Sequence, residues 1–107
     1  MTDTNQKAIR LGLAPSAGTV ERLFAIFGDE MIPAEEVRQR YYRNMNADTF
    51  KAALGTEKIP LPVSTMNVSN KAIPHINIRH LAAYIDQRAY LADQELASRL
   101  NPGDQPS

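Results

Sequence analysis

The residue types best suited to chemistry in this sequence are basic ones, and they are concentrated in the middle of the chain. From Arg38 to Arg88 there are eight basic and three acidic residues, a net charge of +5, whereas the 107-residue chain as a whole is formally neutral. Such a bias can create a face that attracts phosphate groups, and a mixed, solvated surface is the alternative. The candidate phosphate contacts are Arg38, Arg43, Lys58 and Lys71.

Residue types that carry catalysis or bind metals are sparse. The chain has no cysteine, which excludes disulfides and thiolate catalysis and fits a reducing, cytoplasmic setting. His75 and His80 have no cysteine or carboxylate partners at ligand spacing, so no metal site is expected. There is no Gly-rich phosphate loop or nucleophile motif, and the adjacent Glu35 and Glu36 suit the positive end of a helix. We therefore expect neither enzymatic activity nor a cofactor.

Hydrophobic periodicity predicts two helices in the first half of the chain. Apolar residues recur at helical spacing over residues 19–27, where Thr19 is the candidate N-cap and Gly28 the candidate stop; a short buried strand is the alternative. A second helix is expected over about residues 33–43, since proline is tolerated in a first helical turn. Its expected inward stripe is Ala34, Val37 and Tyr41.

A third, shorter helix follows after a connection of about three residues. Asn46 is a good N-cap for residues 47–54, and Gly55 suits the left-handed conformation that ends many helices. The short connection is typical of a helix-turn-helix, in which the second helix of the pair enters the major groove. There, lysine can donate to guanine, and threonine or alanine can contact a thymine methyl. The candidate base contacts are Thr49, Lys51 and Ala52.

The pattern then changes from helical to alternating. Residues 59–63 alternate apolar side chains with two prolines, which predicts an edge strand, and residues 76–78 predict a returning strand. Together they would form a hairpin, a wing over residues 64–75, whose short polar or cationic tip suits a contact with the DNA backbone or minor groove. The candidate tip contacts are Ser69, Asn70 and Lys71.

A long helix capped by Asn77 is expected to run from Ile78 to about Leu100. It is longer than the core of such a small domain needs, so its far end is a candidate homodimer surface, and a single frayed helix end is the alternative. The candidate dimer contacts are Tyr84, Leu91, Leu96 and Leu100.

The predicted elements follow the order α-α-turn-α-β-β-α. This order predicts a mainly α fold with a small β-hairpin, a winged helix-turn-helix domain over residues 18–100. Residues 1–17 lack sustained periodicity and an apolar secretory region, so we expect a flexible N-terminal arm on a cytoplasmic protein. Residues 101–107 are rich in residues that break regular structure, so we expect a disordered tail. No apolar run reaches the length of about 18 residues that a membrane span needs.

Several stretches, in this order and spacing, resemble a known family. They are residues 23–27 (LFAIF), 32–37 (IPAEEV), 59–63 (IPLPV), 69–72 (SNKA) and 81–88 (LAAYIDQR), with Tyr42, Phe50 and Met66 between them. Over residues 19 to about 90 the chain resembles the pyocin activator family of bacterial and phage regulators. The plan is also similar to the broader excisionase and MerR-like winged helices.

The resemblance implies a sequence-specific DNA-binding protein that activates transcription of bacteriocin or related phage genes. Double-stranded DNA is then the expected partner, with RNA polymerase as a further candidate. Two alternatives stay open. One is an excisionase-like architectural DNA binder, and the other is a phage-encoded protein that binds and inhibits a host protein.

Overall fold

The computed structural model describes residues 15–69 and 71–101. Along these ranges the elements are, in order, α1 (Ala17–Phe27), β1 (Met31–Pro33), α2 (Ala34–Tyr41), α3 (Ala47–Ala53), β2 (His75–Asn77) and α4 (Ile78–Leu100). The described part of the chain is mainly helical, with four helices and one two-stranded antiparallel sheet, which confirms that the fold is mainly α with a small β component. Most of the predicted arm and tail lies outside the described residues. Among the helices of these described ranges, none has the length and apolar character that crossing a membrane requires.

The sheet forms between strands that are distant in sequence. β1 pairs with β2, and the central partners Ile32 and Ile76 are both fully buried. Two backbone hydrogen bonds extend the pairing, from Ala34 N to Pro74 O at 2.9 Å and from Ile78 N to Glu30 O at 2.8 Å. Because α2 starts directly after β1 and α4 directly after β2, this small sheet fixes where both helices begin.

The predicted pairing of residues 59–63 with residues 76–78 is wrong. β2 takes β1 as its ladder partner, and Ile78 belongs to α4 and not to the strand. The predicted long helix from Ile78 to Leu100, capped by Asn77, is confirmed. The segment before the wing meets β2 at a single bridge, in which Ser64 and His75 exchange hydrogen bonds of 2.8 and 2.7 Å. The two prolines of residues 59–63 have no N–H to donate to a longer ladder. The bridge nevertheless closes a loop over residues 65–74, which we call the wing loop.

The start of α1 differs from the prediction, while its end agrees. Ser16 is the N-cap, and its hydroxyl accepts a hydrogen bond from the Thr19 N–H at 3.1 Å. Thr19 itself is buried in the first turn, where its hydroxyl donates to Asp86 of α4 at 2.7 Å. The Asp86 carboxylate also accepts the Ser16 N–H at 2.9 Å, so it ties the start of α1 to α4. Gly28 ends the helix in the left-handed conformation, as predicted.

The second helix is shorter than predicted and turns a different tyrosine inward. α2 ends at Tyr41, and the next residue has non-helical angles of φ −131° and ψ 44°. Tyr41, expected in the inward stripe, is 42% exposed at the last position of α2. Tyr42 packs against the core instead, with its ring centre 5.2 Å from that of Phe50.

The core lies where the sheet, α2, α3 and the first half of α4 meet. Its most completely buried large side chains are Ile32, Val37, Leu61, Ile76 and Leu81. Phe50 of α3 and Ile59 of the segment after α3 are also part of this core. From residue 88 to residue 97, α4 is exposed throughout, so its second half lies beyond this core.

Candidate nucleic-acid interface

The candidate recognition helix, α3, is held by two buried side chains, Phe50 and Ala53. Its N-cap is Asn46, whose side-chain oxygen accepts the Thr49 N–H at 2.8 Å, as predicted. Thr49, Lys51 and Ala52, the three predicted base contacts, are all exposed. Because successive helical residues are about 100° apart, Lys51 and Ala52 face away from the buried pair and Thr49 lies at its flank. All three side chains are therefore accessible to a partner.

An acidic residue shares this outward face. Asp48 is exposed in the first turn of α3, on the same side as Lys51 and Ala52. The sequence pattern assigns Asp48 to the helix dipole and misses it as a contact candidate. A carboxylate at this position repels phosphates but can accept a hydrogen bond from the amino group of cytosine. The face is therefore mixed in charge.

Arg38 connects α2 to the turn that leads into α3. Its Nε and Nη2 donate to the two carboxylate oxygens of Glu35 at 2.9 and 2.6 Å, and its Nη1 donates to the Met45 carbonyl at 2.8 Å. The hydrogen bonds to Glu35 raise the pKa of Arg38, and hydrogen bonds from Arg38 and then Gln39 lower the pKa of Glu35. Since all three donating groups are engaged within the protein, Arg38 is suited to position α3.

Arg43 belongs to a basic hollow at the C-terminal end of α2. The hollow has a volume of about 390 Å³ and is lined by Gln39, Arg40, Tyr41 and Arg43. No ion pair engages either arginine among the described residues. Two guanidinium groups beside a phenol suit a phosphate group, because both side chains offer hydrogen-bond donors to its oxygens. Of the two arginines in this hollow, only Arg43 is among the phosphate contacts predicted from the sequence.

Lys58 lies in a second hollow, between the segment after α3 and the middle of α4. This groove of about 480 Å³ is lined by Tyr42, Glu57, Lys58, Pro60, Tyr84, Gln87, Arg88 and Leu91. Burial raises the pKa of Tyr42 above its ordinary value of 10.0, Tyr84 adds to the rise, and Arg88 opposes it. The structure thus brings Lys58 next to two of the candidate dimer contacts, Tyr84 and Leu91.

The predicted wing contacts lie on the wing loop. Ser69 and Lys71 are both exposed, and Asn70 lies outside the described residues. Ser69 organises the turn, since its hydroxyl accepts the Lys71 N–H and its carbonyl accepts the Ala72 N–H, each at 3.1 Å. The Lys71 ammonium group is therefore presented on a turned segment.

The candidate dimer contacts do not share one face of α4. Tyr84 and Leu91 are seven residues apart, so they lie on one side and line the groove with Lys58. Leu96 and Leu100 are four residues apart and continue the stripe of Ile78, Ala82 and the core. Leu91, Leu96 and Leu100 are exposed, whereas Tyr84 is half-buried against the core.

No ligand set for a metal is found near these residues. Across residues 15–69 and 71–101, no group of three or more histidine, cysteine, aspartate or glutamate side chains could hold a metal ion.

Comparison with known proteins identifies the family. A family model described as Pyocin activator protein PrtN matches residues 19–92, well over half of the chain. The chain belongs to the pyocin activator family. This confirms the resemblance seen in the sequence. No curated protein and no solved structure matches the chain.

The pyocin activator match covers the candidate interface as a whole. It starts at Thr19 in α1, includes α2, α3 and the wing loop, and ends at Ala92 in α4. Of the candidate dimer contacts, Leu96 and Leu100 lie beyond the match. The base and phosphate candidates therefore belong to the part that the chain shares with the family, and the last two turns of α4 do not.

Proposed function

We propose that this pyocin activator family member is a sequence-specific DNA-binding transcriptional activator of pyocin or related phage genes. Its DNA-binding unit would be a winged helix-turn-helix over residues 18–100. The observation that carries the proposal is α3, a capped helix held by Phe50 and Ala53 with its outward face exposed. The family's regulatory character supports activation. Catalysis forms no part of the proposed role.

In this proposal α3 lies in the major groove and reads bases. Lys51 would donate to guanine O6 and N7, and the methyl groups of Thr49 and Ala52 would contact thymine. Asp48, on the same face, would accept from a cytosine amino group and disfavour sequences that bring a phosphate close. Four short or single-point contacts give limited discrimination, so DNA shape would supply part of the specificity.

Contacts with the phosphate backbone would supply most of the affinity, through the release of counterions. Arg43, in its hollow with Arg40 and Tyr41, is the candidate on α2. Lys58 and Lys71, with Ser69 beside the latter, are the candidates after α3. Arg38 would act indirectly, by holding the turn through the Met45 carbonyl while its charge is paired with Glu35.

We propose further that the protein acts in the bacterial cytoplasm as a homodimer. Two copies would bind symmetric half-sites, which strengthens the binding of a small domain. The second half of α4 is the proposed dimer surface. It is exposed, and its Leu96 and Leu100 continue the apolar stripe of the helix beyond the core. RNA polymerase is a second proposed partner, since activation requires recruitment or contact of the enzyme.

The direct test is selection of bound duplexes from a random-sequence pool, carried out in parallel with three proteins. The wild type should enrich one motif. Lys51→Ala should change or relax one position of it, because base contacts specify sequence. Lys71→Ala is the matched control. It removes the same charge from the wing and should weaken all sequences alike, with the slope of log affinity against log salt reduced by about 1.

Two outcomes would contradict the proposal. If Lys51→Ala enriches the same motif as the wild type, α3 does not read bases. If no duplex is retained even at low salt, the protein acts through a protein partner, as the inhibitor alternative predicts. The excisionase-like alternative is separated by a promoter–reporter assay, since it requires binding at an attachment site without activation of the promoter.

A further inference from the structure

The wing loop exposes large apolar side chains. Met66 is 70% exposed, Ile73 is 64% exposed and Val68 is fully exposed. A loop that only touches the DNA backbone needs donors and positive charge, and this loop offers Lys71 with a few short polar groups. Three large apolar side chains exposed within residues 66–73 of one loop indicate a surface that contacts something else.

The loop is joined to the end of α3, so it belongs beside the proposed interface. Val63, directly before the bridge residue Ser64, lies against Gly55, a left-handed residue two positions after the end of α3. A side-chain atom added at Gly55 would be 3.9 Å from Cγ2 of Val63. Leu54 and Ile59 also form a bridge across the same turn. A duplex that binds to α3 would therefore lie close to residues 63 and 64, where the wing loop begins.

The charge of this segment indicates which kind of partner it meets. Between Glu57 and Asp86 the sequence contains no acidic residue, while it contains Lys58, Lys71 and Arg79. The apolar side chains thus lie within the longest stretch of the 107 residues that is both basic and free of carboxylates. A surface of this charge is complementary to a polyanion, and it would not repel phosphates at close range.

We propose that the wing loop is an apolar wedge, which inserts Met66 or Val68 between two base pairs from the minor groove and kinks the DNA there. This inference rests on the proposed function and adds a mode of binding to it. Apolar side chains inserted from the minor groove partly unstack a base step and bend the duplex by about 20–90° towards the major groove. Lys71 would hold the phosphates that flank the opened step.

The test uses the full-length protein and an end-labelled duplex of about 30 base pairs that carries the selected motif. Bending brings the two dyes closer, so energy transfer between them should rise when the wild type binds. The double variant Met66→Ser/Val68→Ser should bind without this rise. Ile26→Ser, which changes an exposed apolar residue on α1, is the matched control and should bend the duplex like the wild type.

A second measurement keeps the test decisive if the double variant binds weakly. A duplex with a short gap at the kinked step no longer resists unstacking. The wild type should therefore bind it about tenfold tighter than the intact duplex, and the double variant should lose that preference. Because both substituted residues are well exposed, the melting temperature of the double variant should match that of the wild type.

Each contrary outcome has a separate meaning. If the wild type binds but the duplex stays straight, or if the double variant bends it equally, the wedge is wrong and the proposed function stands. If the double variant loses affinity equally for intact and gapped duplexes, the wing contacts DNA in another way and the wedge is again wrong. If the wild type leaves the duplex straight and the double variant fails to activate purified RNA polymerase, the apolar residues contact a protein partner, and the wedge is wrong. If the wild type retains no duplex at low salt, both proposals fail.

Discussion

Replacement of Asn46 by alanine tests whether α3 is a stable, capped helix. The Asn46 side-chain oxygen accepts the Thr49 N–H at 2.8 Å, and its backbone is extended, with φ −76° and ψ 169°. These are the geometry and the bond of an N-cap, and Asn46→Ala removes the acceptor. Both residues are exposed, so water can partly satisfy the released N–H, which limits the loss.

The expected loss is about 1 kcal/mol of unfolding free energy, within the usual range of about 0.5–2 kcal/mol for such caps. In a domain of this size, 1 kcal/mol corresponds to a fall in melting temperature of about 4–8 °C. The helix should persist in the native state because Phe50 and Ala53 remain buried. Its first turn, which carries Asp48 and Thr49, should fray.

The assay is urea unfolding followed by circular dichroism, with two control variants. Asn46→Ser keeps a cap without a charge and should unfold within about 0.5 kcal/mol of the wild type. Asn46→Asp also keeps the cap and favours the helix dipole, yet it adds a negative charge beside the proposed DNA surface. It should therefore be stable but bind DNA more weakly. Equal urea midpoints for Asn46→Ala and Asn46→Ser would refute the capped helix.

Four further substitutions probe the core, the packing of α1 and the proposed dimer. Phe50→Ala should lower the unfolding free energy by about 3–5 kcal/mol, measured by urea unfolding, because it removes a buried ring from beneath α3. Asp86→Ala should lower it by about 2 kcal/mol in the same assay, since two charged hydrogen bonds between α1 and α4 are lost. The raised pKa of Tyr42 makes the folded state hold the phenol proton more tightly. The resulting stability should be complete below pH 10.0 and fall as the pH rises further, and Tyr42→Phe should remove this part of the fall in melting temperature. Leu96→Glu should convert the proposed dimer to a monomer in sedimentation.

Matched controls separate these effects from general damage. Phe24→Ala, at an exposed site, should have a much smaller effect than Phe50→Ala; equal losses would contradict the assigned core. Asp93→Ala removes an exposed charge from α4 and should leave stability nearly unchanged. A loss equal to that of Asp86→Ala would contradict the stabilising role of the hydrogen bonds between Asp86 and the start of α1. If the melting temperature falls equally with rising pH in the wild type and in Tyr42→Phe, the titration of Tyr42 does not contribute to the alkaline loss of stability. Gln94→Glu should keep the dimer, whereas a wild-type monomer at micromolar concentration would remove the dimer proposal.

Local sequence signals predict the helix ends well where one residue dominates the local energetics. Asn46 and Asn77 each cap a helix with a side-chain hydrogen bond, and Gly28 ends α1 with a positive φ angle of 76°. These features depend on a single side chain or on the absence of one, so they can be recognised without knowledge of the fold. Gly55 also has a positive φ angle, of 83°, but α3 ends at Ala53 with Leu54 as its extended C-cap, so the predicted stop at Gly55 is wrong. Thr19 is an instructive exception. Ser16 lies three residues earlier and competes for the same role, and only the position of Asp86 on α4 decides between them.

Features that depend on distant partners could not be predicted in this way. β1 has three residues and ends in proline, which is too short for alternation to register, and its partner β2 lies beyond α2, α3 and the wing loop. The role of Tyr42 depends on where α2 ends, since its non-helical backbone accompanies the packing of its ring against Phe50.

In the candidate site, too, features set by neighbouring residues could be predicted, and features that depend on distant parts of the fold could not. That Lys51 and Ala52 are exposed could be predicted from their positions between the apolar residues Phe50 and Ala53 on the same helix. The pairing of Arg38 with both Glu35 and the Met45 carbonyl could not, because it depends on the path of the turn after α2. The sequence pattern predicts a polar wing tip, and it misses the exposed apolar residues Met66, Val68 and Ile73, because their exposure depends on how the loop sits on the fold.

The most direct test of the central claim is to follow the amide resonances of the full chain by NMR while the selected duplex is added. If α3 lies against DNA, the largest shifts should fall on residues 47–53 and on the wing loop, with little change in α1. Shifts confined to α1 or to the second half of α4, with α3 unchanged, would contradict the claim that this chain reads DNA through α3.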